Sequence, residues 1–165
     1  MANKIILGID PGYARVGWAI VKKNKNKSGI SLFKYACLET TAKEKMEDRL
    51  EYVYDEITKI CVVEKPEVCC IEKLFFARNV STAMLVSEAY GVILVALKKQ
   101  GVEIFPYTPM QIKKIVTGSG KGTKNQVHDS VNEYFKNNDT GTIKLDDTVD
   151  AIAAALCYSK VIGIA

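Results

Sequence analysis

Apolar residues recur along this chain with two different periods, and the changes of period mark out its elements. Ile5-Ile6-Leu7-Gly8-Ile9 runs uncharged between Lys4 and Asp10 and stops at Pro11-Gly12. That pattern predicts a buried strand ending in a tight turn. Gly17 to Lys23 and Ile30 to Leu38 predict two more strands, joined by a polar hairpin loop from Asn24 to Gly29. Such short connections make the three an antiparallel meander.

The period then becomes helical. Met46, Leu50, Val53, Ile57, Ile60 and Cys61 recur at spacings of three and four, one apolar face of a helix. Thr41 and Glu44 have capping-box spacing, so this helix is expected to start at Thr41, and Pro66 blocks its continuation. Glu67 to Glu72 predicts a fourth strand. Val80 to Gln100 predicts a long helix with apolar residues on more than one face, enough to pack on a sheet and meet a second subunit. Val102 to Tyr107 predicts a fifth strand, and Thr108-Pro109 opens a short helix with proline in its first turn. A glycine-rich loop (Gly118 to Thr123), a helix from Lys124 to Phe135, a polar connector from Asn137 to Lys144 and an Ala-rich helix from Asp146 to Ile162 complete the chain. The order β-β-β-α-β-α-β-α-α-α predicts an α/β fold: a five-stranded mixed sheet, three strands antiparallel and then two parallel, flanked by helices. Neither a repeat nor a linker divides it, so residues 1–165 are expected to form one domain.

Composition narrows the class. With 48% hydrophobic and 25% charged residues among 165, the chain is neither disordered nor collagen-like nor a disulfide miniprotein. Its five cysteines include no Cys-x-x-Cys pair, and Cys69-Cys70 sits in an apolar run; they read as buried thiols of a reducing compartment. His128 is the only histidine, which argues against zinc and reads as a surface or satisfied residue rather than a base. Ile5-Ile6-Leu7 is too short for a signal peptide, and Ala83 to Leu97 is interrupted by Ser87, Glu88 and Tyr90, so no membrane segment is expected and the protein is expected in the cytoplasm. A net charge of +4 leans toward an acidic partner without naming one.

Candidate chemistry begins with carboxylates. Asp10 ends the first strand and Glu72 the fourth; if those strands pair in parallel, the two side chains stand about 5 Å apart at one sheet edge. Asp147 and Asp150 share a helix face at i and i+3, and Asp146 with Asp150 at i and i+4 does so equally, so spacing alone does not choose. Acids gathered in this way repel until a hard divalent cation relieves them; two such ions can activate water and stabilise the leaving oxygen of a phosphodiester. Each acid taken singly has an ordinary explanation. Asp-Pro-Gly is a turn signal, first-turn aspartates favour a helix dipole, and Glu72 could be a surface acid. Their coincidence at element ends favours a site.

Lys113, Lys114, Lys121 and Lys124 crowd the glycine-rich segment, which suits approach to phosphates, although a solvated lysine loop looks the same. Its spacing is not that of a P-loop. Phe75-Phe76 followed by Ala77-Arg78-Asn79 reads as an exposed recognition loop, where an aromatic ring could stack on an unpaired base for about 1–3 kcal/mol.

Ile-Leu-Gly-Ile-Asp10-Pro-Gly, Ile71-Glu72-x-x-Phe75, Gly118-x-Gly120, Lys124-x-Gln126-Val127 and Asp147-x-x-Asp150-Ala-Ile-Ala together resemble the RuvC family of Holliday-junction resolvases. The likeness runs in one order from about residue 4 to about 160 and implies an RNase H-like fold. It implies that Asp10, Glu72, Asp147 and Asp150 form an acidic tetrad holding two Mg²⁺, with Mn²⁺ able to substitute, and the Val149-Asp150-Ala151 register makes Asp147 rather than Asp146 the third ligand. Lys113 and Lys124 match lysines near the scissile phosphate, Phe75 an aromatic that packs against bases, and Arg78 a basic position of the same loop; Lys121 joins them as a DNA-binding candidate. The implied function is a magnesium-dependent crossover junction endodeoxyribonuclease. It would act as a homodimer on four-way DNA junctions, in recombination and repair, in company with a RuvA–RuvB branch-migration complex. Competing readings are an RNase H-like nuclease acting on RNA–DNA hybrids or RNA ends, a non-catalytic DNA-binding module and an actin-like phosphotransferase. The last lacks a second phosphate-binding glycine loop.

Overall fold

The computed structural model describes residues 4–23, 29–74, 80–136, 143 and 147–165, with Val80, Ser81 and Asp147 described by their backbone alone. The strands are β1 (Ile5–Asp10), β2 (Arg15–Lys23), β3 (Ile30–Glu39), β4 (Val68–Glu72) and β5 (Glu103–Tyr107). They form one sheet in the order β3-β2-β1-β4-β5. β2 lies antiparallel to both β1 and β3, whereas β4 runs parallel to β1 and to β5. The helices are α1 (Met46–Glu64), α2 (Val80–Lys99), α3 (Pro109–Thr117), α4 (Lys124–Phe135) and α5 (Asp147–Val161). This is the element order expected from the residue pattern, arranged as the mixed sheet of an RNase H-like fold. The described cysteines are free thiols, and no described helix is long and apolar enough to cross a membrane.

Alternation along the strands divides the core in two. Leu7, Ile9, Cys69 and Ile71 point to the face covered by α1 and α2, where they meet Val53, Ile57, Ile93 and Leu97. Ile6, Val68 and Cys70 point to the other face, where Ile112, Val116, Val127, Val131, Phe135 and the Ala-rich side of α5 close over them. Burying each large aliphatic side chain contributes about 1.5–3 kcal/mol, so both layers hold the sheet firmly. Period two also settles where the strand-end acids go. Asp10 follows Ile6 and Gly8, and Glu72 follows Val68 and Cys70, so both belong to the α5 side.

Gly8 explains how α5 comes so close. A Cβ built there would lie 2.0 Å from the Ala151 carbonyl oxygen and 2.9 Å from Ala155 Cβ. Only a residue without a side chain lets the helix backbone rest on β1, and the alanines of α5 serve the same contact.

One expected start is displaced. Thr41 and Glu44 do form a local turn, with Thr41 N–H donating to Glu44 Oε2 at 3.4 Å and Lys43 N–H to Thr41 Oγ1 at 3.3 Å. The helix, however, begins at Met46, after an N-cap Lys45 without a side-chain cap. The same residue types close a turn as readily as they cap a helix. The buried stripe of α1 also shifts, to Arg49, Val53, Ile57, Ile60, Cys61 and Glu64 rather than starting from Met46 and Leu50. Its two polar ends are satisfied: Glu64 accepts from Lys34 at 2.5 Å and lies 3.7 Å from Lys22. By contrast, capping boxes at Thr108–Gln111 and Thr123–Gln126 start α3 and α4.

Candidate active site

Parallel pairing brings two of the acids to one edge. Ile9 of β1 lies opposite Ile71 of β4, and the next residue of each strand is Asp10 and Glu72. Glu72 itself pairs with Tyr107 at the end of β5. The third strand to reach this edge therefore leads directly into α3, which carries Lys113. From above, α5 brings its first turn, with Asp147 and Asp150, to the same end of the sheet, because Ala151 is seated on Gly8 two residues before Asp10.

The chain after Asp10 is held from below. Gly12 lies so close to the Arg15 carbonyl that a Cβ would come within 2.3 Å of its oxygen. The buried guanidinium of Arg49 donates to the Tyr13 carbonyl at 2.8 Å and to Thr40 Oγ1 at 2.9 Å, and Thr40 Oγ1 donates to the same Tyr13 carbonyl at 3.1 Å. Sequence reading missed Arg49; the signal was an arginine four residues before Val53, on the stripe that turns inward.

Electrostatics bind the acids to the lysines. Burial first, and the Asp150 carboxylate second, push Glu72 from the ordinary carboxylate value up to about 7, against the opposing pull of Lys113 and Lys124. Lys124 Nζ lies 3.3 Å from Asp150 Oδ2. One acid from the sheet, one from α5 and a lysine from each of α3 and α4 thus share one electrostatic neighbourhood. Lys121 is exposed on the turn between α3 and α4. Phe75, Arg78 and Asp146 lie outside the described residues, and Asp147 is placed only as the first residue of α5. Among the described residues no three His, Cys, Asp or Glu side chains already form a closed ligating group.

A consequence for stability follows from Glu72. Its carboxyl binds a proton more tightly folded than unfolded, so the folded state holds more protons between pH 4.5 and about 7. Stability in EDTA should therefore fall as pH rises through that window and stay lower above it. Glu72→Gln removes the penalty. Urea melts at pH 8 should show the variant more stable by up to about 3 kcal/mol, with little difference at pH 4. Equal stabilities at pH 8 would contradict the crowding of charge at this position.

A sequence model of the family described as "Crossover junction endodeoxyribonuclease RuvC" matches residues 6–158. The chain belongs to the crossover junction endodeoxyribonuclease RuvC family. A RuvC from Finegoldia magna is 41% identical over 153 residues, covering 93% of this chain and 91% of that one. One from Ruminiclostridium cellulolyticum is 40% identical over 156 residues, covering 94% and 92%. Among solved structures, Thermus thermophilus RuvC in complex with a Holliday junction substrate is similar with a TM-score of 0.86 at 26% identity, covering 96% of this chain and 94% of that one. The fowlpox virus resolvase with its substrate Holliday junction DNA, at 18% identity and a TM-score of 0.60, covering 94% and 99%, shares the fold.

Proposed function

We propose that the acids at this sheet edge hold divalent metal for phosphodiester hydrolysis, and that a homodimer of the chain makes paired symmetric nicks in four-way DNA. As a RuvC family member the chain is a crossover junction endodeoxyribonuclease, a DNA-cutting hydrolase that resolves Holliday junctions in recombination and repair. The observation that carries the metal reading is Glu72 sharing this buried edge with Asp150: burial first, and the Asp150 carboxylate second, push its carboxyl up to about 7. Hard carboxylate oxygens crowded in this way fit a hard dication.

Asp10, Glu72, Asp147 and Asp150 are the residues proposed to hold two Mg²⁺, or Mn²⁺ in their place. Bound there, the pair would activate the attacking water and stabilise the departing oxygen. Glu72 must give up its proton to serve, so metal loading should strengthen as pH rises to about 7 and level off above it. Lys124, half exposed and now against Asp150, can turn its N–H groups to a phosphate oxygen, and Lys113 beside Glu72 supplies a second positive charge to the same strand. Lys121, Phe75 and Arg78 are assigned to the DNA flanking the cut, Phe75 by stacking on bases.

The dimer is assigned to α2. Met84 and Val95 stand exposed on it. Tyr90, Leu94 and Val95 line an open groove of about 530 Å³ with Ile104 and Pro106 of β5. A two-fold pairing there would set two cutting edges against the two-fold symmetry of a junction. Val95→Glu should yield a monomer by light scattering, with single nicks replacing paired ones; an unchanged dimer removes this surface from the interface. A RuvA–RuvB complex as partner and a cytoplasmic location complete the proposal.

The experiment is cleavage of a synthetic mobile four-way junction in Mg²⁺, beside an RNA–DNA hybrid of the same sequence. Paired nicks in the junction, lost with EDTA, are expected; preferential cutting of the hybrid would favour a different RNase H-like nuclease. Binding without any turnover would leave a DNA-binding module.

A further inference from the structure

Helix α4 carries three polar side chains four residues apart, Lys124, His128 and Asn132, and therefore on one face. Lys124 meets Asp150 at 3.3 Å. Asn132 grips a single residue of the segment ahead of α5: its Oδ1 accepts from Ile143 N–H at 3.0 Å and its Nδ2 donates to the Ile143 carbonyl at 3.2 Å. His128 Nε2 lies 2.8 Å from the same carbonyl and 2.8 Å from Asn132 Nδ2, so the ring joins this grip as donor to the carbonyl in one tautomer and as acceptor from the amide in the other. The Ile143 side chain is buried in the core beneath. Both main-chain polar groups of Ile143 are thus met by one face of α4.

The partners of this face bracket one position of the chain. Ile143 lies four residues before Asp147, and Asp150 lies three residues after it. α4 itself is held down by Val127, Val131 and Phe135 and closed at its start by the Thr123–Gln126 capping box, so the face is a rigid one. Acids that repel one another drift apart unless their main chain is fixed, and metal ligands must be held to within about half an ångström.

We infer that the Lys124–His128–Asn132 face of α4 positions Asp147 for metal binding by holding the chain on either side of it. Asn132 and His128 are positioning residues: they act through the backbone of Ile143 and touch neither DNA nor metal. This rests on the reading of Asp147 as a ligand. A role for α4 in carrying Lys124 alone would leave His128 and Asn132 without effect on the metal.

The test is calorimetric titration of the full chain with Mg²⁺, together with melting temperature and the Mg²⁺ dependence of junction cleavage. Asn132→Ala should weaken Mg²⁺ binding by about tenfold, the usual cost of losing a partner that orients a metal ligand. Raising Mg²⁺ should restore its cleavage rate. His128→Phe should weaken binding in the same direction. His128→Gln, which keeps an N–H donor, should stay within about twofold of the parent. If Asn132→Ala does not fold, the two His128 variants decide. Wild-type Mg²⁺ affinity in Asn132→Ala and His128→Phe, whatever their melting temperatures, overturns the inference while leaving the reading of the site standing. Absence of Mg²⁺ uptake by the parent, or uptake unaltered by Asp147→Asn, overturns that reading and the inference with it.

Discussion

Asp10→Asn is expected to reduce junction cleavage by roughly 10²–10³-fold or more while the protein folds and still binds DNA. The substitution keeps the shape of the side chain and removes one negative charge from the place where β1 and β4 end together. If the acids work by holding dications, the loss must fall on turnover rather than on DNA affinity. The lysines that would meet phosphate lie on other elements, α3 and α4. Removing an acid could even tighten junction binding slightly, because a repulsive charge has gone. Glu72→Gln should behave alike, with the added rise in stability at pH 8 described above. Single-turnover rates and junction affinity, measured side by side, separate the two effects. Near-wild-type cleavage by either variant would mean that the chemistry lies elsewhere.

Gly8→Ala is expected to be the most damaging single methyl in the core. Its Cβ would fall 2.0 Å from a backbone oxygen of α5, which no rotamer change can relieve. The helix must lift from the sheet, and the contacts of Ala151 and Ala155 go with it. Overpacking usually costs about 1–3 kcal/mol; here the loss should reach or exceed the top of that range, because the neighbour is main chain on the buried stretch of α5 from Ala151 to Ser159. Since α5 also carries Asp147 and Asp150 to the sheet edge, cleavage should fall further than the unfolded fraction accounts for. A chemical denaturation curve and an activity assay at low temperature, where the variant is folded, distinguish the two losses. A change of less than about 1 kcal/mol would mean that α5 does not rest on β1 in this way.

Much of this was legible before any coordinates. The uncharged run to Asp10, the apolar period of α1 and the alanines of α5 each state a burial requirement that only one element type satisfies, and short connections leave few topologies. Parallel pairing of β1 with β4 then brings Asp10 and Glu72 together without further information. Local signals failed where two structures use the same chemistry. Thr41 and Glu44 close a turn, not a helix, because nothing in four residues records where α1 must start to reach the sheet. Arg49 was hidden because a charged side chain at a stripe position reads as exposed until its acceptors, Tyr13 and Thr40, are known. The bonds from α4 to Ile143 and Asp150 join residues 11 to 26 positions apart, and no spacing rule addresses that range. Asp146 and Asp147 satisfied spacing equally, so the family register had to choose between them.

The most direct test is the stoichiometry of divalent uptake. Isothermal titration of the full chain with Mg²⁺ at pH 8, with Asp10→Asn alongside, asks whether the acids gather metal at all. Two ions per chain for the parent, fewer for the variant, and protons released in growing number as the pH is lowered toward 7 are expected. No heat of binding in the presence of junction DNA, or equal uptake by parent and variant, would contradict the account.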